Sequence, residues 1–325
     1  MTQEEIDIMY MRRCLRLAAN GLGRVRPNPL VGCVVVQDGR IVSEGYHQEY
    51  GHNHAERNAL LRCTDTVGAT LYVNLEPCSH YGKTPPCADL IIEKGVSRVV
   101  CCNDDPNPLV AGRGFARLEA AGIEVVRHVL EEEGRELNRR FFAFMEQKRP
   151  YIILKWAESE DGFMAPAGSV CCNAVATRSY WLSTQPQNRL NHRWRTEEAA
   201  ILVGSETYLQ DKPSLTPRHY LGSAPQPVVL DRRGRLTDVP DHWVHLRAQT
   251  VAEAVQELYE RKLQSVIVEG GRKVLDAFIA AGLYDEIRIL RSPLHLGSGL
   301  PAPVVPAIPR GRILVVGSPK EICFF

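Results

Sequence analysis

His54-Ala55-Glu56, Pro77-Cys78 and Cys87 are the residues whose types and order bear most directly on chemistry. One imidazole and two thiolates offer three protein ligands to Zn²⁺ and leave the fourth position for water, which is the catalytic rather than the closed structural arrangement. Zinc brings the pKa of such a water towards about 7, so a nucleophile becomes available at neutral pH. Glu56 follows His54 by two residues at the start of an expected helix. From there it cannot easily bind the same ion, but it can take the water's proton and pass it to a leaving amine. His-x-Glu followed by Pro-Cys and a second cysteine is the signature of zinc deaminases. Two other readings compete. A buried histidine with two inert cysteines suits each residue singly but not the ordered set. A closed zinc site needs a fourth ligand, and the candidates Cys63, Cys101 and Cys102 lie at no metal-type spacing.

Eight residues, Ser79 to Pro86, separate the two cysteines, where short-loop deaminases have two. A long polar loop between two metal ligands lies at the mouth of the site, and its His80 and Lys83 are then positioned to touch substrate.

These residues need a scaffold, and the surrounding pattern supplies one. Ile6, Tyr10, Cys14 and Leu17 recur at helical spacing. VGCVVVQDGRIVSEG is two apolar runs joined by Asp38-Gly39, a pair suited to the positive φ angles of a tight hairpin. Strands are expected at 71–74, 97–102 and 123–128. Helices between them, at 88–94 and 114–121, close on Gly95 and Gly122. A charged helical stretch covers 131–149. A new strand-like run, YIILKWA, begins after Pro150, so the domain boundary is placed there, with domains at 1–149 and 150–325. The second half alternates again, with strands at 199–204, 226–231, 264–270 and 285–290 and helices at 184–197, 251–263 and 273–281. Both halves therefore read as α/β.

At 325 residues the chain is long enough for two cores. Charged residues at 24% and apolar ones at 44% are the balance of an ordinary globular protein. A net charge of +1 gives no field for a nucleic-acid backbone or an anionic membrane, and 7% aromatics do not favour a polynucleotide-editing channel. The N-terminus has acids where a secretory signal needs bases, and no apolar run approaches a bilayer's thickness. A cytoplasmic protein with buried or metal-binding thiols, no membrane partner and no nucleic-acid partner is expected.

LEPCSHYGKTPPC (75–87), RPNPLVGCVV (26–35), GYHQEYGHNHAE (45–56) and DDPNPLVAGRG (104–114) resemble the deaminase half of the bifunctional deaminase/reductase family of riboflavin biosynthesis. KWAESEDGF (155–163), HRWRTEEAAILVGSETYLQDKPSLTPR (192–218) and VIVEGG (266–271) are similar to its reductase half. The resemblance implies a cytidine-deaminase-like three-layer α/β/α domain followed by a dihydrofolate-reductase-like α/β domain. It implies two reactions on a phosphorylated pyrimidine. The 2-amine of 2,5-diamino-6-ribosylaminopyrimidinone 5′-phosphate is replaced by a carbonyl, and NADPH then reduces the ribosyl group to ribityl. A homo-oligomer is expected.

By resemblance, His54, Cys78 and Cys87 hold Zn²⁺ and Glu56 shuttles protons, while Asn28, His80, Lys83, Asp105 and Asn107 contact the deaminase substrate. Asn28 and Asn107 also stand in Pro-Asn-Pro contexts that suit plain turns. Ala157, Trp181, Thr207, Asp211, Gly270 and Gly271 map to the cofactor, and Ser179, Arg195, Leu215, Arg218 and Glu269 to the reductase substrate. No G-x-G-x-x-G is present, so strand–Glu269-Gly270-Gly271–helix is either a phosphate-approach turn or an ordinary tight one. Arg195 and Arg218 suit a substrate phosphate or a solvated surface equally. Lys212, in Asp211-Lys212-Pro213, and the stretch after Gly162 depart from the family pattern. The alternative keeps the deaminase and makes the second half a non-catalytic substrate-binding or dimerisation module.

Overall fold

A computed structural model describes residues 1–81, 85–108, 110–167, 182–307, 311–317 and 322–324. The chain divides into two compact units, Met1–Lys148 and Arg149–Phe325.

The first unit opens with helix α1 (Gln3–Ala19), capped by Thr2 and Glu5 in a reciprocal capping box. Strands β1 (Gly32–Gln37) and β2 (Arg40–Tyr46) form the expected hairpin, and Asp38 and Gly39 take φ of 50° and 71° at its turn. Then come α2 (Ala55–Leu60), β3 (Thr70–Leu75), α3 (Cys87–Glu93), β4 (Arg98–Asn103), α4 (Arg113–Ala120) and β5 (Glu124–Val126). The sheet order is β2-β1-β3-β4-β5, antiparallel across the hairpin and β1/β3, and parallel from β3 to β5. Strand alternation separates two apolar layers. Cys33, Val35, Leu71, Val73, Val99 and Cys101 face Ala59, Ile91 and Phe115 of α2, α3 and α4. Val34, Val36, Tyr72, Val100 and Cys102 face Tyr10, Met11 and Cys14 of α1. The result is a three-layer α/β/α unit. The two cysteines of β4 thus lie on opposite faces of the sheet, in the core.

The stretch 131–149 is not one helix. It breaks into α5 (Glu131–Leu137) and α6 (Arg139–Glu146) at Asn138. The Asn138 side chain accepts from the Leu30 N–H at 2.8 Å and donates to the Leu30 carbonyl at 2.9 Å. A tertiary contact made 108 residues away in sequence overrides the local helical pattern.

The second unit contains β6 (Tyr151–Glu158), β7 (Phe163–Pro166), α7 (Gln185–Glu197), β8 (Ala200–Gly204), α8 (Ser205–Asp211), β9 (Gln226–Leu230), β10 (Val244–Leu246) and α9 (Val251–Glu260). It continues with β11 (Ser265–Val268), α10 (Arg272–Ala281), β12 (Glu286–Arg291), β13 (Gly299–Pro301), β14 (Arg312–Val316) and β15 (Ile322–Phe324). Its main sheet runs β10-β9-β8-β11-β6-β12-β14-β15, parallel except for the final pair. The short pieces β7, α8, β10 and β13–β15 carry too little periodicity to be read from sequence. Helix α9 stops earlier than expected because Lys262 turns at φ 60°.

The two faces of this sheet differ. Ile152, Leu154, Trp156, Leu202, Val266, Val268, Ile287 and Ile289 form an apolar core with Leu258 of α9 and Phe278 of α10. The opposite face, towards α7, is mixed: Ile153, Ile201, Val203 and Ile267 are buried there together with Tyr151, Lys155, Glu286 and Arg288, and Arg195 and Glu198 are buried at its edge.

Candidate active sites

In the first unit three chain ends converge. His54 is the residue before α2, Cys78 follows β3, and Cys87 opens α3. His54 Nδ1 lies 3.5 Å from the sulfur of Cys78 and 3.5 Å from that of Cys87. Zn–N and Zn–S bonds meeting at a tetrahedral angle would separate N and S by about 3.6 Å. The three donors are the described group able to hold a metal. Cys63 instead donates to the Asp65 carbonyl, Cys101 to that of Asn103 and Cys102 to that of Leu130, so none of these completes a closed site.

The electrostatics suit a cation. The Cys78 thiol is held down at about 4, chiefly by its hydrogen bond with Cys87 and, against burial, by His54 and the Cys87 N–H at 3.3 Å. Glu56 is buried, and one of its oxygens, Oε2, has no hydrogen-bond partner. Burial pushes its carboxyl up from the ordinary carboxylate value. Three spaced donors and a buried carboxylate with one unpartnered oxygen beside them fit a zinc ion with one position left for water.

Around this centre, Asn28 is half-buried and bonds its amide nitrogen to His47 Nε2 at 3.1 Å. His47 meets the Asn53 carbonyl at 3.0 Å and packs edge-on against the His54 ring. Asn28 thus belongs to a chain of contacts that reaches His54. The Leu30 carbonyl, bonded by Asn74 and Asn138, fixes its loop. His80 is exposed on the loop after Cys78. Asp105 and Asn107 share one turn, in which the Asn107 N–H donates to the Asp105 carboxylate at 2.8 Å. Burial pushes the Asp105 carboxyl up to about 6. Lys83 lies outside the described residues.

In the second unit Glu269, just beyond β11, accepts from Arg195 Nη2 at 2.7 Å and Nε at 3.2 Å and lies 3.8 Å from Lys155 Nζ. Burial alone would raise its carboxyl, but the charges of Lys155 and Arg195 hold it down at about 2. The third arm of Arg195 donates to the Thr216 carbonyl at 3.3 Å. Its guanidinium is therefore taken up inside the protein, whereas Arg218 is exposed. Leu215 is buried with φ of 54°, a left-handed backbone that bends the chain towards Thr216 and Arg218.

Gly270 packs closely, since a Cβ there would lie 2.9 Å from Val274 of α10. Beside Gly271 a Cβ would meet only the Thr207 hydroxyl, at 3.5 Å. Backbone at the start of α10 and the Thr207 hydroxyl thus border one cradle, at the carboxyl ends of β8 and β11, where α/β sheets bind nucleotide phosphates. Asp211 ends α8 and Lys212 turns away at φ 40°. Ala157 lies half-buried near the end of β6. Trp181 and Ser179 lie outside the described residues.

Sequence reasoning missed Glu76, His47 and Lys155. Lys155 had a visible signal, a lone lysine within the apolar run YIILKWA. Glu76 and His47 gave none beyond lying inside the quoted motifs.

A three-donor zinc site on one α/β unit, joined to a second α/β unit with a polar cluster at its strand ends, defines a two-domain enzyme with a cytidine-deaminase-like first domain. Residues 4–103 match the cytidine and deoxycytidylate deaminase zinc-binding region, and residues 150–307 match the RibD C-terminal domain. The riboflavin biosynthesis protein RibD of Actinobacillus pleuropneumoniae is 48% identical, over 90% of this chain and 85% of its own. That of Escherichia coli K12 is 37% identical, over 90% and 89%. The crystal structure of a diaminohydroxyphosphoribosylaminopyrimidine deaminase/5-amino-6-(5-phosphoribosylamino)uracil reductase from Thermotoga maritima superposes with a TM-score of 0.84 at 35% identity, covering 97% of this chain and 96% of that one. Acinetobacter baumannii RibD gives 0.84 at 33%, covering 92% and 90%. The chain belongs to the RibD family of riboflavin biosynthesis proteins.

Proposed function

We propose that the protein carries out two consecutive steps on one phosphorylated pyrimidine. The first unit hydrolyses the 2-amine of 2,5-diamino-6-ribosylaminopyrimidinone 5′-phosphate. The second reduces the ribosyl group of that product with NADPH. The observation that carries the reading is the 3.5 Å spacing of His54 from both Cys78 and Cys87, with buried Glu56 beside them. The match of residues 150–307 to the RibD C-terminal domain favours a reductase over a non-catalytic second half.

In this reading His54, Cys78 and Cys87 hold zinc, which when bound acidifies a water. Glu56 would take the water's proton as the water oxygen bonds to C2 and return a proton to the amine as the C–N bond breaks, so that ammonia leaves and the new oxygen remains as the carbonyl. Asn28, His80, Lys83, Asp105 and Asn107 contact the substrate. In the second unit NADPH supplies the hydride. Gly270, Gly271, Thr207 and Asp211, with Ala157 and Trp181, receive the cofactor. Arg218 takes the substrate phosphate, and Leu215 and Ser179 contact the same substrate. Arg195 acts through Glu269, holding its carboxylate ionised beside the ribosyl group.

Among the described residues no helix is long and apolar enough to cross a membrane. A cytoplasmic homo-oligomer completes the reading, and sedimentation of the purified protein checks the assembly. Incubation with the diamino ribotide, with and without NADPH, followed by mass analysis tests the whole. An amine-to-carbonyl change without NADPH and a further two-hydrogen gain with it are expected. If the first change never appears the deaminase assignment fails, and if only the second is missing the reductase assignment fails.

A further inference from the structure

Glu76 is buried at the end of the strand that leads to Cys78 and takes no part in the proton transfers above. Its carboxylate accepts three backbone N–H bonds from the segment that runs from the loop after β4 into the first turn of α4. Oε2 accepts from Asp105 at 3.4 Å and Gly112 at 3.0 Å, and Oε1 from Gly114 at 2.9 Å. The loop's return is pressed against the same segment, since a Cβ on Gly114 would lie 2.1 Å from the Pro77 carbonyl oxygen. The sheet beneath does not depend on this carboxylate. Strands β3 and β4 are paired through their own backbones from Thr70/Arg98 to Leu75/Asn103, and Glu76 N–H adds a bond to the Asn103 carbonyl.

We propose that Glu76 is a positioning residue that fixes the loop bearing Asp105 and Asn107 against the segment bearing Cys78, and so sets the distance between the substrate contacts and the metal ligands. The proposal rests on the deaminase reading. A carboxylate is the suitable group because it offers acceptors on both oxygens, and the buried N–H of Gly114 would otherwise lack a partner.

The test compares wild type with Glu76→Gln in the full chain. Three quantities are read: zinc content, hydrogen exchange at the Gly112 and Gly114 amides, and steady-state deamination. Glu76→Gln should keep its zinc, exchange faster at those amides, and raise KM by roughly tenfold or more while kcat changes little. Glu76→Asp, which keeps the charge but shortens the reach, should show the same split. It also carries the test if the glutamine variant fails to fold. An unmoved KM, a fall in kcat at constant KM, or loss of zinc would overturn the proposal. Absence of deamination by the wild type would sink the deaminase reading itself, whereas normal wild-type turnover with an unmoved KM in the variants sinks only the role of Glu76.

Discussion

The zinc-type donors of the first unit come from residues 54 to 87, each at the boundary of an element, so a few short segments build the site. The polar cluster of the second unit joins Lys155 on β6, Arg195 on α7 and Glu269 after β11, which meet only once the parallel sheet has formed. The first site leaves a buried carboxylate oxygen, Glu56 Oε2, without a partner, whereas the second pairs its carboxylate with two cations. A carboxylate with one free oxygen can act on whatever enters, and one paired with two cations is held ready. The contrast teaches that proton-transfer chemistry uses the first arrangement and electrostatic preorganisation the second.

The largest expected effect breaks the first site alone. Cys87→Ala should release the metal and abolish deamination, while NADPH oxidation on already deaminated ribotide continues. Metal analysis with the two separate assays checks this, and loss of both activities would show that the sites are not independent. Glu56→Gln comes next. It should keep about one zinc per chain yet lower the deamination rate by roughly two to four orders of magnitude, because the ligands remain and the proton shuttle does not. Zinc loss in this variant would contradict the assigned roles.

In the second unit Glu269→Gln removes the partner of two buried cations and should cost about 3–5 kcal/mol in a denaturant titration. The pH dependence has a definite sign. The folded carboxyl titrates near 2, below its ordinary 4.5, so its contribution is fully present above about 4.5 and is lost as the pH falls towards 2. Wild-type stability should therefore decline through that acid window more steeply than that of the variant. The smallest effects concern ligands. Gly271→Val should weaken NADPH binding by crowding the space under Thr207, as read by calorimetry, with deamination unchanged. Arg218→Ala should raise the reductase KM by roughly tenfold without changing NADPH affinity, since it removes a charged hydrogen bond to the phosphate. An unchanged KM would return the phosphate to another group.

Local pattern was enough for much of this molecule. Strand alternation and helical spacing announce β1, β3, β4, β6, β8, β9, β11 and β12, because those elements bury one or both faces and their residue types repeat with the matching period, while the largely exposed β2 is announced by the Asp38-Gly39 turn. The His54, Cys78 and Cys87 set is equally legible. A metal demands particular donor atoms, and few other reasons would place them in that order with Glu56 beside the first.

Tertiary structure alone decided the rest. Asn138 splits a helical stretch because its amide is claimed by Leu30, a partner no sequence window contains. From sequence Arg195 suits a substrate phosphate or a solvated surface equally, and only the fold shows its guanidinium bound to Glu269 and the Thr216 carbonyl. Glu76 looks like any acid before Pro-Cys until the loop from Asp105 to Gly114 folds back onto it. The physical reason is common to all three. Residue type specifies what a side chain can bond, but which of those bonds forms depends on where distant backbone arrives.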